Sequence, residues 1–342
     1  MKKVAVVILN YNGKKFLEEF LPNVIENTNA DLADIVVADN ASTDGSADFM
    51  RERFPEIRLI ENGFNGGFAT GYNLALRQIE AEYFVLLNSD IEVTTLWIEP
   101  VIEMMDADRN IAACQPKILS YYEKQKFEYA GASGGFIDRY GYPFCRGRLF
   151  QNLEEDLGQY DEACEVFWAT GACMFVRADL YLKYGGLDDS FFAHMEEIDF
   201  CWRMKNLGYS IYCCPQSKVY HIGGGTLPKS SSRKTYLNFR NNLSLIYKNL
   251  PSKHVFWIVA YRILLDWVAA IKFLFGGGFK DFWAVIRAHF AFYTRIPTLR
   301  KFRREHPSRQ VSMMYMENIV FASFLKGVKR YSDLDPKKFF NA

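Results

Sequence analysis

Several features are missing from this sequence, and each absence removes a class of protein. No apolar run approaches the ~20 uninterrupted residues of a membrane span; the most apolar stretch, Val255–Phe275, is broken by Arg262, Asp266 and Lys272. The seven cysteines form no C-x-x-C pair and are odd in number, so a disulfide framework or a zinc site is not expected. Reduced core thiols fit a cytosolic compartment. There is no internal repeat and no low-complexity tract, and a chain 49% apolar and 16% aromatic is not a disordered one. Met1-Lys2-Lys3 resembles the start of a signal peptide, but the apolar run Val4–Leu9 stops at Asn10-Tyr11-Asn12-Gly13. That is too short for a secretory core and the right length for a buried first strand, so no export signal is expected.

Near-neutrality is also deceptive. The net charge of +1 divides into 20 Lys/Arg against 34 Asp/Glu over residues 1–225, or −14, and 21 against 6 over residues 226–342, or +15. An acidic front half suits a metal and carboxylate site. A basic, aromatic back half suits an anionic surface.

Through the first 120 residues, strand-like runs alternate with amphipathic stretches: strands Val4–Leu9, Ala33–Ala38, Ile57–Glu61 and Tyr83–Leu87, and helices Lys14–Asn27, Ala41–Phe54 and Gly66–Ile79. Near-continuous Val/Ile/Leu strands in a βαβα rhythm predict an α/β fold with a mostly parallel central sheet flanked by helices. In such sheets ligands bind beyond the carboxyl ends of the strands. All four strands end in polar residues: Asn10-Tyr11-Asn12, Asp39-Asn40, Glu61-Asn62 and Asn88-Ser89-Asp90. One such end is an ordinary turn, whereas four along one edge make a site.

Five segments carry possible chemistry. Asp39, at a strand end, can accept hydrogen bonds from a base or a ribose, while Ser42 and Asp44 beside it read as helix caps. Asn65-Gly66-Gly67 opens a helix as a Gly-rich entry suited to a phosphate or sugar, yet it lacks the Gly-Lys-Ser/Thr of a P-loop and follows the wrong strand for a dinucleotide fingerprint. Asp90 projects from a buried strand end, where a divalent cation (Mg²⁺ or Mn²⁺) is the natural partner for a carboxylate. Glu196-Glu197-Ile198-Asp199 places three carboxylates in four residues beside Phe200 and Trp202. Burial and mutual repulsion there should raise at least one pKa toward that of a general base. His221 ends a short apolar strand before the loop Gly223–Thr226, and its imidazole is a possible further metal ligand.

After Pro251 the chain predicts a C-terminal amphipathic helical extension. The three charges of Val255–Phe275 fall within an arc of roughly 120° and leave a wide apolar face. Asp281–Tyr293 repeats the plan, and Arg300-Lys301-Phe302-Arg303-Arg304 follows. Helices lying in a membrane interface fit this pattern better than a span does. The aromatics sit on apolar helical faces, which is poor design for stacking bases, so no nucleic acid is expected as a partner.

Together these segments, with Thr170–Met174 and Arg240-Asn241, resemble family-2 glycosyltransferases of the GT-A fold, in particular the bacterial rhamnosyltransferase-like branch. The resemblance spans roughly residues 3–250 in the correct order. It implies a domain over residues 1–250, with a nucleotide-sugar half (1–110) and an acceptor and catalytic half (111–250), followed by a membrane-associating tail, 251–342. It implies that Asn10, Asn12, Asp39, Asn65, Gly67, Asn73, Asn88 and Arg240 line the nucleotide sugar, and that Asp90 and His221 hold the cation. Glu197 stands at the family's base position, with Glu196 and Asp199 beside it. Asn88 replaces the first Asp of the family's D-x-D, and Glu197 is one methylene longer than the usual Asp. The implied reaction is an inverting single displacement from a nucleotide-diphosphate sugar (deoxythymidine-diphosphate rhamnose or a uridine-diphosphate hexose). The acceptor would be a saccharide or lipid-linked saccharide, and the enzyme would act on the cytoplasmic face of a membrane in cell-surface polysaccharide synthesis. Rival readings are a sugar nucleotidyltransferase, whose signature after the first strand is missing, and a nucleotide-sugar-binding membrane scaffold without turnover.

Overall fold

The apolar run Val4–Leu9, free of turn residues, forms with Asn10 the first strand, β1 (Val4–Asn10), buried along nearly its whole length. In the computed structural model, which describes residues 2–223 and 231–341, the alternation continues through α1 (Lys14–Asn27), β2 (Ala33–Asp39), α2 (Ser46–Arg53), β3 (Arg58–Glu61), α3 (Gly67–Leu76) and β4 (Tyr83–Asn88). Helix α1 buries Phe16, Leu17, Phe20, Leu21 and Val24, the one-sided spacing that the sequence predicts. Helix α2 starts at Ser46 instead of Ala41 because the preceding loop is spent on caps. Asp39 accepts from the Ser42 amide at 2.8 Å, and Asp44 accepts from the amides of Lys14 (2.9 Å) and Ser46 (3.1 Å), tying down the starts of α1 and α2 together.

The middle region adds β5 (Ile91–Val93), α4 (Glu99–Ala107) and β6 (Ile111–Ser120), then four short strands: β7 (Gly135–Asp138), β8 (Pro143–Cys145), β9 (Arg148–Leu149) and β10 (Asn152–Leu153). After them come β11 (Cys164–Val166), β12 (Cys173–Arg177), α5 (Ala178–Lys183), α6 (Glu196–Leu207) and β13 (Ser210–His221). The central sheet has nine strands in the order β11-β13-β6-β12-β4-β1-β2-β3, with β5 beside β13. Six of them (β1, β2, β3, β4, β6 and β13) point the same way, and β12 runs against its neighbours β4 and β6. Alternate residues of the parallel strands feed opposite cores. Val7, Val36 and Leu86 pack with Tyr72, Phe200 and Trp202, while Val6, Val37 and Val85 pack with Leu17, Leu21 and Val101.

The C-terminal third comprises α7 (Ser232–Asn249), then, in the tail, α8 (Ser252–Phe275), α9 (Phe279–Glu305), β14 (Met314–Tyr315), α10 (Ile319–Phe324) and β15 (Phe339–Phe340). Gly276–Gly278 separates α8 from α9, as the sequence predicts. Beyond α9 the chain returns: β14 pairs with β7, and β15 with β14, completing a second, six-stranded sheet. Helix α8 turns Arg262 and Asp266 inward and leaves Lys272 exposed. Arg262 donates to the Tyr140 carbonyl at 3.0 Å and to Asp266 at 3.2 Å, and His289 of α9 lies 3.3 Å from the same carboxylate. Trp257 and Phe275 point outward, 73% and 86% exposed. No described helix is long and apolar enough to cross a membrane. The Gly223–Thr226 loop expected after β13 lies, beyond Gly223, outside the described residues.

Candidate functional site

Sheet register sets the polar strand ends side by side: Asn10 opposite Asp39, Asp39 opposite Glu61, and Leu9 opposite Asn88. Asn10 donates to Asp39 at 3.0 Å and to the Ser42 hydroxyl at 3.1 Å. Its own Oδ1 is buried with no partner among the described residues. A Cβ at position 13 would stand 2.6 Å from that oxygen, so Gly13 keeps this acceptor unobstructed. Asn12 adopts φ 51, and its Oδ1 accepts from the Thr43 amide at 2.7 Å, which closes the loop over β2's end. Asp39 is thus held rigidly, with polar groups on either side.

Pairing of β5 with β13 brings His221 opposite Ile91, next to Asp90. Asp90 Oδ1 lies 3.2 Å from His221 Nε2, and Glu128 Oε2 lies 3.2 Å from Nδ1. Asn88 Nδ2 is 3.4 Å from the same Nε2. Burial opposes charge on the ring, yet hydrogen bonds and attraction from the two carboxylates outweigh it and raise His221 to about 10. Glu128 is a residue that sequence reasoning missed. It belongs to no motif, and its loop reaches β13 only because its amide donates to Ile118 of β6.

Glu196 and Glu197 open α6 behind a loop in which Phe192, His194 and Met195 all have positive φ (68, 70 and 76). Backbone held in this region survives only where its surroundings over-determine it. Here Asn241 donates to the carbonyls of Phe191, Ala193 and His194 at 2.8–3.0 Å, and Arg240 donates to those of Ser190 and Phe191. From the other side the Phe68 amide donates to Phe192 at 2.7 Å. Gly67, φ +77, admits the contact because a Cβ there would meet the Phe192 carbonyl at 2.5 Å.

The two carboxyls so presented differ. Glu196 is buried, while Glu197 is partly exposed, and each has an Oε2 without a partner among the described residues. Burial first, then the neighbouring Glu197 charge, pushes Glu196 well above the usual carboxylate range. Burial raises Glu197 to about 7 against the pull of nearby backbone amides. Across the chain from Glu197 stands Gly171, whose Cβ position is 3.8 Å from the Glu197 Cβ. The next carbonyl, Ala172, accepts from the Asn88 amide at 2.9 Å. One backbone segment therefore separates Glu197 from the Asn88–Asp90 edge.

Other expected site residues are spent on the protein itself. Asp199, grouped with the catalytic carboxylates by sequence, is fully enclosed and accepts from Arg203 (2.8 Å), Lys248 (2.8 Å) and Asn249 (2.9 Å). That corrects its assignment: it ties α6 to α7 and has no path to a substrate proton. The Asn73 amide donates to Leu187 and Asp189 and accepts from Tyr181 and Leu187, so it anchors α3 to the 187–189 turn and is consumed there. Asn65 folds back onto the Gly67 amide at 2.9 Å, and Arg240 clamps the strained loop as described. Together, Asn10, Asp39, Asn88, Asp90, His221, Glu196 and Glu197 remain as groups at one edge with capacity for a ligand.

Comparison with known proteins adds a family. The model described as glycosyl transferase family 2 matches residues 5–185. Over 233 residues the chain is 24% identical to an N-acetylglucosaminyl-diphospho-decaprenol L-rhamnosyltransferase of Mycobacterium tuberculosis, covering 64% of this chain and 75% of that protein. It is 25% identical over 287 residues to the low-salt glycan biosynthesis hexosyltransferase Agl10 of Haloferax volcanii, covering 80% and 85%. Among solved structures, S. aureus TarS 1–349 in complex with UDP-GlcNAc aligns with a TM-score of 0.55 at 15% identity, covering 88% of this chain and 84% of that one. GalNAc-T7 with UDP, GalNAc and Mn²⁺ aligns at 0.55 and 16% identity, covering 74% of this chain and about half (49%) of that one. At such identities these structures speak for the fold, a mixed α/β sheet of GT-A type.

Proposed function

The chain belongs to glycosyl transferase family 2, and from that premise we propose an inverting transfer of a sugar from a nucleotide-diphosphate donor to a saccharide or lipid-linked acceptor, with Glu197 as the base. The observation that carries the reading is Glu197 itself: a half-buried residue whose Oε2 is enclosed without a partner among the described residues, its carboxyl raised to about 7, one backbone segment from the polar strand ends. A group with that pKa is both available as carboxylate and basic enough near neutrality. Deprotonated Glu197 takes the acceptor hydroxyl proton as the oxygen attacks the anomeric carbon from the face opposite the leaving diphosphate. Asp39, fixed by Asn10, accepts from the nucleoside. Activity should rise with pH through about 7, because the raised carboxyl works only once ionised.

Asp90 and His221 fit a divalent cation. A cation would have to displace the proton that the two carboxylates favour on the ring; Nε2 would then face it beside the Asp90 oxygen, with the second ring nitrogen turned toward Glu128, the arrangement that orients a metal-binding histidine. No group of three or more His, Cys, Asp or Glu among the described residues forms a complete cage, so the donor's phosphates would supply the remaining ligands. When bound, the cation neutralises charge on the departing diphosphate. A mixed N/O pair suits Mn²⁺ somewhat better than Mg²⁺.

For the donor we favour deoxythymidine-diphosphate rhamnose, with uridine-diphosphate hexoses next, on the strength of the mycobacterial relative's name. That name also supports a lipid-linked acceptor, and we place the reaction in cell-surface polysaccharide synthesis as part of the same proposal. The outward aromatic face of α8 and α9 beside Arg300–Arg304 supports a peripheral seat on an anionic inner membrane face. The reading is tested by a nucleotide-sugar panel scored for diphosphate release with Mn²⁺, Mg²⁺ or EDTA. Glu197→Gln should bind donor normally and transfer at least about a hundredfold more slowly. Unchanged transfer removes Glu197 from the role, and donor binding without turnover in the wild type would favour the scaffold reading.

A further inference from the structure

Where α7 and α9 run side by side, four arginines gather without an ion pair among the described residues. Nη2 of Arg240 and Nη2 of Arg295 both donate to the Ser190 carbonyl, at 3.2 and 2.9 Å. The guanidiniums of Arg240 and Arg287 lie 5.2 and 5.4 Å from the Tyr236 ring centre, and that of Arg233 lies 4.9 Å from the centre of Phe192. Asp188, whose charge reaches Arg295, is already held by Lys248 at 2.6 Å. Residues 224–230, the sequence just before α7, contain no Asp or Glu.

The protein leaves this charge unsatisfied. Arg295 Nη1 is buried without a hydrogen-bond partner, and so is Nε2 of His194 in the adjoining loop. Burial and the Arg240 charge press the Arg295 guanidinium below its ordinary range. Like charges converging on one carbonyl without an acid are costly to the fold alone and are relieved by a polyanion, for which the guanidinium fork is well shaped.

We propose that this seam binds the phosphoryl groups of a lipid-linked acceptor, a proposal that rests on the transferase reading above. Phosphate oxygens meet Arg287 and Arg295, with Arg240 beneath them. The hydrocarbon lies along Phe290, one helical turn beyond Arg287 on α9 and 67% exposed. The 190–195 loop then leads from the seam to Glu196 and Glu197, so an acceptor anchored by its phosphates would extend its sugar toward the base. A donor diphosphate has the same chemistry, but its place is the other side of that loop. Phe192 receives Phe68 and Gly67 on the strand-end side, and the arginines lie on the α7 side.

The experiment uses the full chain carrying Arg295→Gln and, separately, Arg287→Gln. Arg287 is exposed, so its loss does not threaten folding. Steady-state kinetics are measured with a polyprenyl-diphosphate-linked saccharide and with the same saccharide on a neutral alkyl chain of matched length. Each variant should raise KM for the diphosphate acceptor roughly ten- to hundredfold, the loss of a charge-assisted bond. KM for donor and turnover on the neutral acceptor should stay within about twofold to threefold, and the KM penalty should shrink at high salt. A rise in donor KM instead would assign the arginines to the donor diphosphate and overturn the proposal, as would equal KM for both acceptors in the wild type. Calorimetry with inorganic pyrophosphate, wild type against Arg295→Gln, reads the seam without turnover. Binding that Arg295→Gln abolishes supports the anion seat even if no nucleotide sugar proves to be a donor, and no binding in the wild type sinks it.

Discussion

Residues 1–223 and the α8–α9 hairpin solve the burial problem in opposite senses. The first of these hides Val6, Ile8, Val85 and Leu87 between two layers of helix and lets its acids emerge at strand ends. The hairpin hides Arg262, Asp266 and His289 and turns Trp257, Leu264, Val268 and Phe275 outward. The first arrangement is what water dictates. The second costs free energy in water, since it desolvates charges and exposes aromatic surface, and it makes sense where a second, apolar phase covers the outer face. The proposed membrane seat would account for the difference: the outer face of the hairpin would meet an apolar phase and residues 1–223 water.

The contrast breaks most directly at Asp266. If the inward charges are true packing, Asp266→Ala should leave Arg262 and His289 buried without their partner and cost about 3–5 kcal/mol, measured by denaturant unfolding. Arg51→Ala, which breaks an exposed pair with Glu61, should leave stability almost unchanged. Equal effects from the two would mean that the hairpin's interior is wetter than its contacts imply.

On the catalytic side the sharpest probe is Glu128, because its acid serves a site instead of a fold. Burial alone would raise it, yet the His221 ring and the Ala130 and Tyr129 amides hold it below the usual carboxylate range. Stability from that lowered carboxyl is present above its ordinary pKa and is lost as pH falls through the depressed value. Glu128→Gln should weaken Mn²⁺ binding in the presence of nucleoside diphosphate about ten- to a hundredfold, the usual loss when a metal-bound histidine loses its orienting partner. Calorimetric titration of Mn²⁺ checks this, and unchanged affinity would make Glu128 a bystander.

How far the sequence alone could carry these conclusions differs between the same two regions. In the front half, the strand ends that form the edge were visible, because buried parallel strands announce themselves by composition and their polar ends by contrast. The raised carboxyl at Glu197 was foreseeable for the same reason, three acids set among apolar neighbours. Asp199 was not separable from Glu197, since Lys248 and Asn249, which consume it, lie some fifty residues away in sequence. Asn73 misled in the same way through Leu187 and Asp189. In the tail, the helical wheel located the charged arc of α8 but not which way it faced. That depends on the Tyr140 carbonyl and His289, partners that no periodicity in α8 encodes.

The smallest effect, and the one that decides what covers the hairpin, concerns Trp257 and Phe275. Both are mostly exposed, and neither contributes to the buried ion cluster. Trp257→Ser or Phe275→Ser should therefore leave unfolding free energy nearly unchanged. Each should weaken binding to vesicles rich in anionic lipid by roughly five- to tenfold, a partial share of the transfer free energy of one large apolar side chain. Co-sedimentation with anionic and with neutral vesicles reads both contributions. Loss on neutral vesicles as well as anionic ones isolates the apolar contribution, and salt-sensitive loss on anionic ones alone would give the binding to Arg300, Lys301 and Arg304. If neither variant changes sedimentation, the outward aromatic face meets something other than lipid, and the inverted hairpin would then have to be read as a surface for another protein.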